Sequence, residues 1–393
     1  MTVAMSMRTT CIKLVLLGAA LAAANASAQV KIGFLGTLSG PGGALGQDQY
    51  DAFMLAVAQK DNKLGGVPVQ LVKADDQLSP DVAVQAARKL VEEDKVSIIT
   101  GMTYGNVMMA VAKPITSAGV VLLSSNASPA PLAGNGCAPL LFSVSSGTMN
   151  QINESGGQLT QDLGYKRVYV MAPNYQAGRD AVDGFKRTYK QQPVDEVYTP
   201  LNQLDFSAEI AQLQAANPDA VYVFYPGGQA VNFVKQYRQA GLLGKLPLIS
   251  VATVDGTTLP ALHETAVGAI TASAYSPDLD NPQNRQFVAA FKAKYGRLPS
   301  MYAAASYDAA QLLDAALRKV GGNVTDKNAL RAALRTADFK SVRGNFRFDT
   351  NQFGLVDFYR VDVVKGSAGA ELATRSKIKV DYRDHLVDQC AMK

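Results

Sequence analysis

Val30-Lys-Ile-Gly-Phe-Leu35, running straight into Gly36-Thr-Leu-Ser-Gly40-Pro-Gly42-Gly43-Ala-Leu-Gly46, reads as a strand, a glycine-rich turn and the start of a helix. The first run is apolar without strict alternation, the pattern of a strand covered on both faces. The helical pattern at 47–60 follows, with Tyr50, Phe53, Met54 and Val57 along one stripe. A glycine-rich turn in this place could cradle a dinucleotide. The spacing is wrong for that: no Gly-x-Gly-x-x-Gly starts at Gly40 or Gly42, and Asp75 and Asp76 come much too late to serve a ribose. Such a turn can instead offer backbone N–H groups at a helix start to a carboxylate or other polar head group, without catalysis. The plainer alternative is a tight turn that needs glycine.

The same unit recurs on both sides. Further apolar runs lie at 69–73, 96–100, 120–124, 167–171, 220–225 and 246–251, rich in Val, Ile, Leu and Tyr. Helical patterns lie between them. Residues 81–94 place Val82, Ala83, Ala86, Leu90 and Val91 on one face, behind Ser79 as a cap and Pro80 in the first turn. Residues 177–190, 208–216 and 229–240 behave similarly. Strand-helix alternation implies parallel sheets wrapped by helices. It runs over about 30–125 and again over about 167–251, which predicts two α/β lobes. Beyond 252, helices at 283–294 and 304–320 and strands at 347–348 and 356–364 complete both lobes instead of forming a third.

The N-terminus has the form of an export signal. Arg8 and Lys13 precede an apolar stretch at 14–24, and Ala26-Ser27-Ala28 supplies a cleavage site. Cleavage after Ala28 is expected, with an uncleaved anchor as the alternative. The apolar stretch is short for a span, and no later run reaches about 20 apolar residues. Losing residues 1–28 takes two of the 38 basic residues and none of the 33 acidic ones, leaving a mild +3 on 365 residues. Scattered basic residues and so small a charge do not make a nucleic-acid surface. An apolar fraction of 48% is that of a chain that buries a core. Cys11 leaves with the signal. Cys137 and Cys390 remain, and in an oxidising compartment they are expected to pair, tying the C-terminus to the 133–139 loop. Two unpaired thiols are the alternative, because spacing does not establish reach.

Most catalytic chemistry is missing its parts. The two histidines, His263 and His385, are far apart, and His263-Glu264 has no second histidine at metal-binding spacing. A Cys/His metal cluster is impossible with these counts. There is no Gly-x-Ser-x-Gly elbow, and Gly244-Lys245 lacks the rest of a phosphate loop. No cofactor, no metal and no enzymatic activity are expected.

Several segments jointly point to one family. They are Ile32-Gly-Phe-Leu-Gly-Thr-Leu-Ser-Gly-Pro41; Lys73-Ala-Asp-Asp-Gln77 with Pro80 and Ala83; Ile98-Ile-Thr-Gly101; Asn174-Tyr-Gln-Ala-Gly178; Tyr237-Arg-Gln-Ala-Gly-Leu242; and Pro299-Ser-Met-Tyr302 followed by Tyr307-Asp308-Ala309. With these the chain resembles the branched-chain amino-acid and amide solute-binding proteins of ABC importers, from about 30 to about 365. The resemblance implies a type I periplasmic binding fold: two doubly wound parallel-sheet lobes joined by three hinge crossings, with the ligand between them. It implies a first lobe of 29–148 plus 277–353 and a second of 149–276 plus 354–393. It also implies a periplasmic monomer that delivers a small molecule to permease subunits, without stable membrane insertion.

Binding positions carry over by segment. The loop at Gly43, Ala44 and Leu45 matches the one that touches ligand from the first lobe. Tyr104-Gly105-Asn106 falls where the family often has a carboxylate-binding serine; here Gly105 stands there, so Asn106 and backbone N–H groups would have to substitute. Asn126-Ala127-Ser128 matches a turn that holds carboxylate and ammonium, with Ser128 in place of a common threonine. Tyr175 matches an aromatic that closes over the ligand. Tyr225-Pro226-Gly227 follows the sixth strand at another contact, and Thr253 to Asp255 lies near the family's acidic partner for an α-ammonium. Bland roles compete: Tyr104 and Tyr175 as ordinary aromatics, Asn126 and Ser128 as caps, Asp255 as a turn residue before Gly256. Asp75 and Asp76 are read as structural, and Met108 and Met109 as core.

Tyr104, Tyr175, Phe224 and Tyr225 would make an aromatic cleft. Ala252 and Thr253 precede Asp255, so the acid an ammonium needs is displaced. Ala172-Pro-Asn-Tyr-Gln-Ala-Gly178 also resembles the family branch that binds aromatic acids. An aromatic or hydrophobic carboxylate is therefore expected ahead of a branched-chain amino acid or amide. A protein that presents its ligand to a separate sensor is the rival of another class.

Overall fold

The strand-turn-helix unit at 30–58 is repeated throughout the computed structural model, which describes residues 29–367, 369–378 and 383–392. Residues 1–28, with the export signal and Cys11, lie outside the described residues. Strand β1 (Val30–Gly36) buries Val30, Ile32, Phe34 and Leu35 on both faces, as its unbroken apolar run requires. It pairs in parallel with β3 (Val67–Asp75) on one side and β4 (Ile98–Gly101) on the other. Strands β5 (Val121–Ser124) and β6 (Leu141–Ser143) extend the sheet, and β2 (Lys63–Leu64) closes a hairpin on β3, giving the order β2-β3-β1-β4-β5-β6.

The second sheet follows the same plan. Strand β7 (Val168–Pro173) lies between β8 (Asp195–Thr199) and β9 (Ala220–Val223), all parallel. Next come β10 (Leu248–Val251) and β11 (Ile270–Ser273), then β14 (Phe358–Gly366) and β15 (Gly369–Ile378), both added antiparallel. In each sheet the connections leave a central strand in opposite directions, between β1 and β4 and between β7 and β9. Such switch points open a crevice at the strand C-termini.

The chain passes between the lobes three times. It leaves β6 for the helix Met149–Asp162, which packs on Gln176–Thr188 in the second lobe. It leaves β11 for Pro282–Tyr295 and Met301–Lys319, whose Tyr295 and Tyr307 hydroxyls donate to Asp51 O (2.8 Å) in the helix Gly43–Ala58 and to Gln59 Oε1 (2.6 Å) at its C-cap. It returns from the short β12 (Arg347–Phe348) and β13 (Gly354–Leu355) into β14. The strand expected over 356–364 runs as β14 in the second sheet, while 347–348 pairs with 354–355.

A buried ion pair holds two of these passages together. Arg343 Nε donates to Asp308 Oδ2 at 2.8 Å, both side chains fully buried, while its Nη atoms donate to Val144 O (2.7 Å) and Ser145 O (3.2 Å) just beyond β6. Cys137 and Cys390 form the expected disulfide. The bond ties the terminal stretch 383–392 to the loop between β5 and β6, so this tail does not stay with the second sheet.

Besides two four-residue helices, the sequence reading lacks Gly105–Ser117, Met149–Asp162 and Lys327–Arg335 among the described residues. Met149–Asp162 is polar and carries Gly156 and Gly157, which hid it. A Cβ on Gly156 would lie 2.6 Å from the Tyr222 hydroxyl, and one on Gly157 would lie 2.3 Å from Phe185 O. Those glycines let the helix sit directly on its neighbours. Its Thr148–Gln151 capping box was the legible signal. Met108 is buried as expected; Met109, one position round the helix, is 37% exposed.

Candidate functional site

The C-terminal ends of the two sheets face each other. From the first lobe come the loops after β1, β4 and β5, and from the second those after β7, β9 and β10. Between them lies a cavity of about 30 Å³. Leu45, Tyr104, Gly105, Asn126, Ala127, Ser128, Tyr175 and Pro226 line it, eight of the residues expected from the sequence. The lobes touch around it. Ala130 N–H donates to Asp180 Oδ2 at 3.0 Å, and the Tyr104 and Tyr175 rings meet across the gap with centroids 6.3 Å apart. A space of this size holds one or two water-sized bodies, so a ring-sized ligand enters only as the lobes part. A larger groove of about 610 Å³, lined by Gln283, Arg318 and Lys340 among others, lies open along the outside of Met301–Lys319, away from both sets of strand ends.

The first turns at the cavity are donor-rich. Gly105–Ser117 and Gln176–Thr188 start at its wall, with Gly105 and Ala177 lining it. Their N-cap residues are Tyr104 and Tyr175, and neither helix receives a side-chain cap. Ser79, Thr148, Asn281, Ser300 and Asp326 do cap their helices, while Gly43–Ala58, Ser207–Ala216 and Gly228–Gln239 also start without a side-chain cap. Uncapped N-termini leave N–H donors and the positive end of the helix dipole for an anion. Asn126 Nδ2 donates to Thr103 O at 2.7 Å, which orients its amide at the wall. Burial raises the Tyr104 and Tyr175 hydroxyl pKa values, so both rings are neutral donors. Among the described residues, none that lines the cavity is charged.

Six expected site residues lie elsewhere. Ala44 is exposed to solvent on the first turn of its helix. Asn106 is half-buried beside Gly105 without lining the cavity, so the N–H donors remain as the substitute for the missing serine. Tyr225 packs against Phe206 and Phe233 in the second lobe's core, where its hydroxyl accepts from Thr199 at 3.2 Å. Phe224, one residue before it, lines the cavity instead, because successive residues of an extended chain face opposite ways. Gly227 packs against Pro41 O of the other lobe. Thr253 is buried and accepts from Tyr225 N–H at 2.8 Å. Asp255 accepts from the Thr257 N–H (2.7 Å) and hydroxyl (2.6 Å) and lies off the cavity.

The sequence reading missed Thr103, Pro129, Met149, Ile152, Ala177, Val251, Ala252, Met301 and Tyr302 as lining residues. Met301 and Tyr302 were legible only as part of a motif; their approach depends on the third stretch of chain folding back. Asp76 is structural as read: it accepts from the Thr37 hydroxyl (2.5 Å) and Leu78 N–H (2.8 Å). Asp75 accepts from Leu38 N–H at 2.8 Å.

The N-cap of the helix that carries Met301 and Tyr302 is anchored by Asp48. Asp48 accepts from Ser300 N–H (3.1 Å), from the Ser300 hydroxyl and from Arg297 Nη2 (2.8 Å). Burial pushes its carboxyl up to about 6, outweighing those hydrogen bonds and the Arg297 charge.

Comparison with known proteins agrees with this geometry. A family model described as periplasmic binding protein matches residues 29–368. The chain is 26% identical over 362 residues to the Leu/Ile/Val-binding protein homolog 6 of Brucella melitensis, covering 89% of this chain and 91% of that protein. A solute-binding protein of an ABC transporter from R. palustris, solved in complex with benzoate, superposes with a TM-score of 0.87 at 30% identity, over 92% of this chain and 99% of its own. Another from R. palustris, in complex with 4-hydroxybenzoate, gives 0.84 at 27% identity, over 91% of this chain and 98% of its own. Among the described residues no helix is long and apolar enough to cross a membrane.

Proposed function

This chain belongs to the periplasmic binding protein family, and on that footing we propose that it is the extracytoplasmic solute-binding component of an ABC importer, closing on a small aromatic carboxylate. The observation that carries this reading is the lining of the cavity. Two uncapped helix N-termini can hold a carboxylate. Tyr104, Tyr175, Phe224 and Tyr302 supply ring faces. No charged side chain lines the wall among the described residues, so an ammonium would be buried unpaired. The benzoate and 4-hydroxybenzoate bound by two structural neighbours support the same ligand class.

Export through residues 1–28, with cleavage after Ala28, places the mature monomer in the periplasm. Residues 29–148 with 277–353, and 149–276 with 354–378, act as the two bodies that close by a hinge motion, the disulfide holding the tail at 383–392 to the first. The closed pair is the form presented to the permease subunits. The protein binds its solute and does not transform it.

A thermal-shift screen of residues 29–393 against benzoates, cinnamates, leucine, isoleucine and amides tests the reading. A ligand at 100 times its Kd stabilises by about 2.7 kcal/mol. A shift confined to aromatic carboxylates is the expected result. Tight leucine or isoleucine binding without any aromatic-acid shift refutes the ligand class, and no shift with any solute refutes capture.

A further inference from the structure

Beside Met301 lies a second recess of about 10 Å³, lined in part by Asp255, Gly256, Tyr275, Ser300 and Met301. Met301 borders both this recess and the main cavity. Asp255 is 7% exposed. Its Oδ1 is engaged by Thr257 and Thr258, but its Oδ2 is buried without a hydrogen bond of good geometry, as is the Tyr275 hydroxyl beside it. The Tyr302 hydroxyl faces the Asp255 carboxyl closely enough to interact with it, while the Tyr302 ring forms part of the main cavity's wall. A buried acid whose Oδ2 meets only the Tyr302 hydroxyl, without a well-formed hydrogen bond, thus stands next to the ligand cavity, with Met301 and Tyr302 against it.

We infer that Tyr302, backed by Met301, is the selectivity element that excludes ammonium-bearing ligands, by plugging the passage from the cavity to Asp255. The inference rests on the aromatic-carboxylate reading of the same cavity. With the plug in place, an α-ammonium in the cavity has no anionic partner and is buried unpaired. With the plug removed, the same ammonium reaches the Asp255 carboxylate, and a charge-assisted hydrogen bond replaces the loss.

Isothermal titration of residues 29–393 with matched pairs decides this. Phenylacetate and phenylglycine, and 3-phenylpropanoate and phenylalanine, differ by the α-amino group alone. The unaltered protein favours the acid of each pair by on the order of 100-fold. Tyr302→Ala narrows that gap by about 10-fold or more, through tighter binding of the amine member, and Met301→Ala does so from the other side of the plug. Tyr302→Phe keeps the ring and does not. Asp255→Asn in the Tyr302→Ala background restores the gap. Three results overturn the inference: equal binding of both pair members by the unaltered protein, no narrowing in either folded opening variant, or a narrowing that survives Asp255→Asn. Failure of every aromatic carboxylate to bind refutes the functional reading separately. Gain of amine binding on opening, and its reversal by Asp255→Asn, are read on the amines alone and still decide the inference.

Discussion

Closure of the two lobes converges on Gly227, and replacing it by alanine separates capture from folding. Gly227 precedes the helix Gly228–Gln239 with φ 61° and ψ −131°, a conformation that side chains resist. In the closed arrangement an alanine Cβ there would lie 3.0 Å from Pro41 O and 3.2 Å from Leu45 Cδ1, both on the opposite lobe. The local backbone strain is about 1–3 kcal/mol and acts on the open and closed protein alike. The contact with Pro41 O acts only on closure, because an open cleft moves that oxygen away. A closure penalty of about 1.4 kcal/mol weakens the ligand tenfold. Gly228→Ala is the control: its Cβ would meet Pro41 at 3.4 Å, an ordinary contact, on a residue already in a helix. Titration with benzoate should show affinity falling about tenfold or more for Gly227→Ala and staying within about twofold for Gly228→Ala. Small-angle scattering should show the first variant reaching the smaller, closed radius only at about tenfold more benzoate than the control needs. A Gly227→Ala protein that melts earlier yet binds as tightly as the control refutes the idea that this contact limits closure.

Other consequences follow from the buried charges and the disulfide. Arg343→Met takes the cation from the fully buried Asp308, whose carboxyl burial already pushes up, and frees the carbonyls of Val144 and Ser145; urea denaturation should show a loss of about 3–5 kcal/mol. Adding Asp308→Asn should recover part of that loss, because no buried carboxyl is left, its carbonyl can accept from Val342 N–H and its NH2 can donate to the Ser341 hydroxyl. Asp48 titrates at about 6 in the folded protein against 3.8 unfolded, so between those values the folded state holds more protons. Its contribution is most favourable at low pH and is lost as pH rises through 6, by about 3 kcal/mol in all. Asp48→Asn should flatten the stability–pH curve between about pH 4 and 6, and an unchanged slope there would sink the assignment. Reducing Cys137–Cys390, which closes a separation of 253 residues, should lower the urea midpoint, with about 5 kcal/mol as the chain-entropy ceiling. A midpoint that ignores the reductant would show that the bond constrains little.

The two lobes were legible because their strands are unbroken apolar runs and their helices keep one apolar stripe, signals carried by neighbours in sequence. Strands such as β6, β8 and β11 were not legible, because each holds only two apolar residues, where the equally short β5, β9 and β10 hold three or four. The site divides along the same line. Tyr104, Tyr175 and Asn126 sit directly after strands, so recognising the strand places the residue. Tyr225 and Phe224 show where this stops: both follow β9, but which one faces the cavity depends on the pleat, and a one-residue difference exchanges core for ligand wall.

What the sequence by itself determined is therefore local: the alternation of strands and helices, the glycine turn after β1, the family motifs, and the two cysteines left to pair. Tertiary structure alone decided which ends meet. Met301 and Tyr302 reach the cavity because the chain crosses back after β11, and Asp255 is turned from ligand partner to loop anchor by Thr257 and Thr258. The physical reason is that burial and hydrogen bonding are set by residues far apart along the chain, so an acid beside a binding site is available to a ligand only if nothing folded over it has claimed it first.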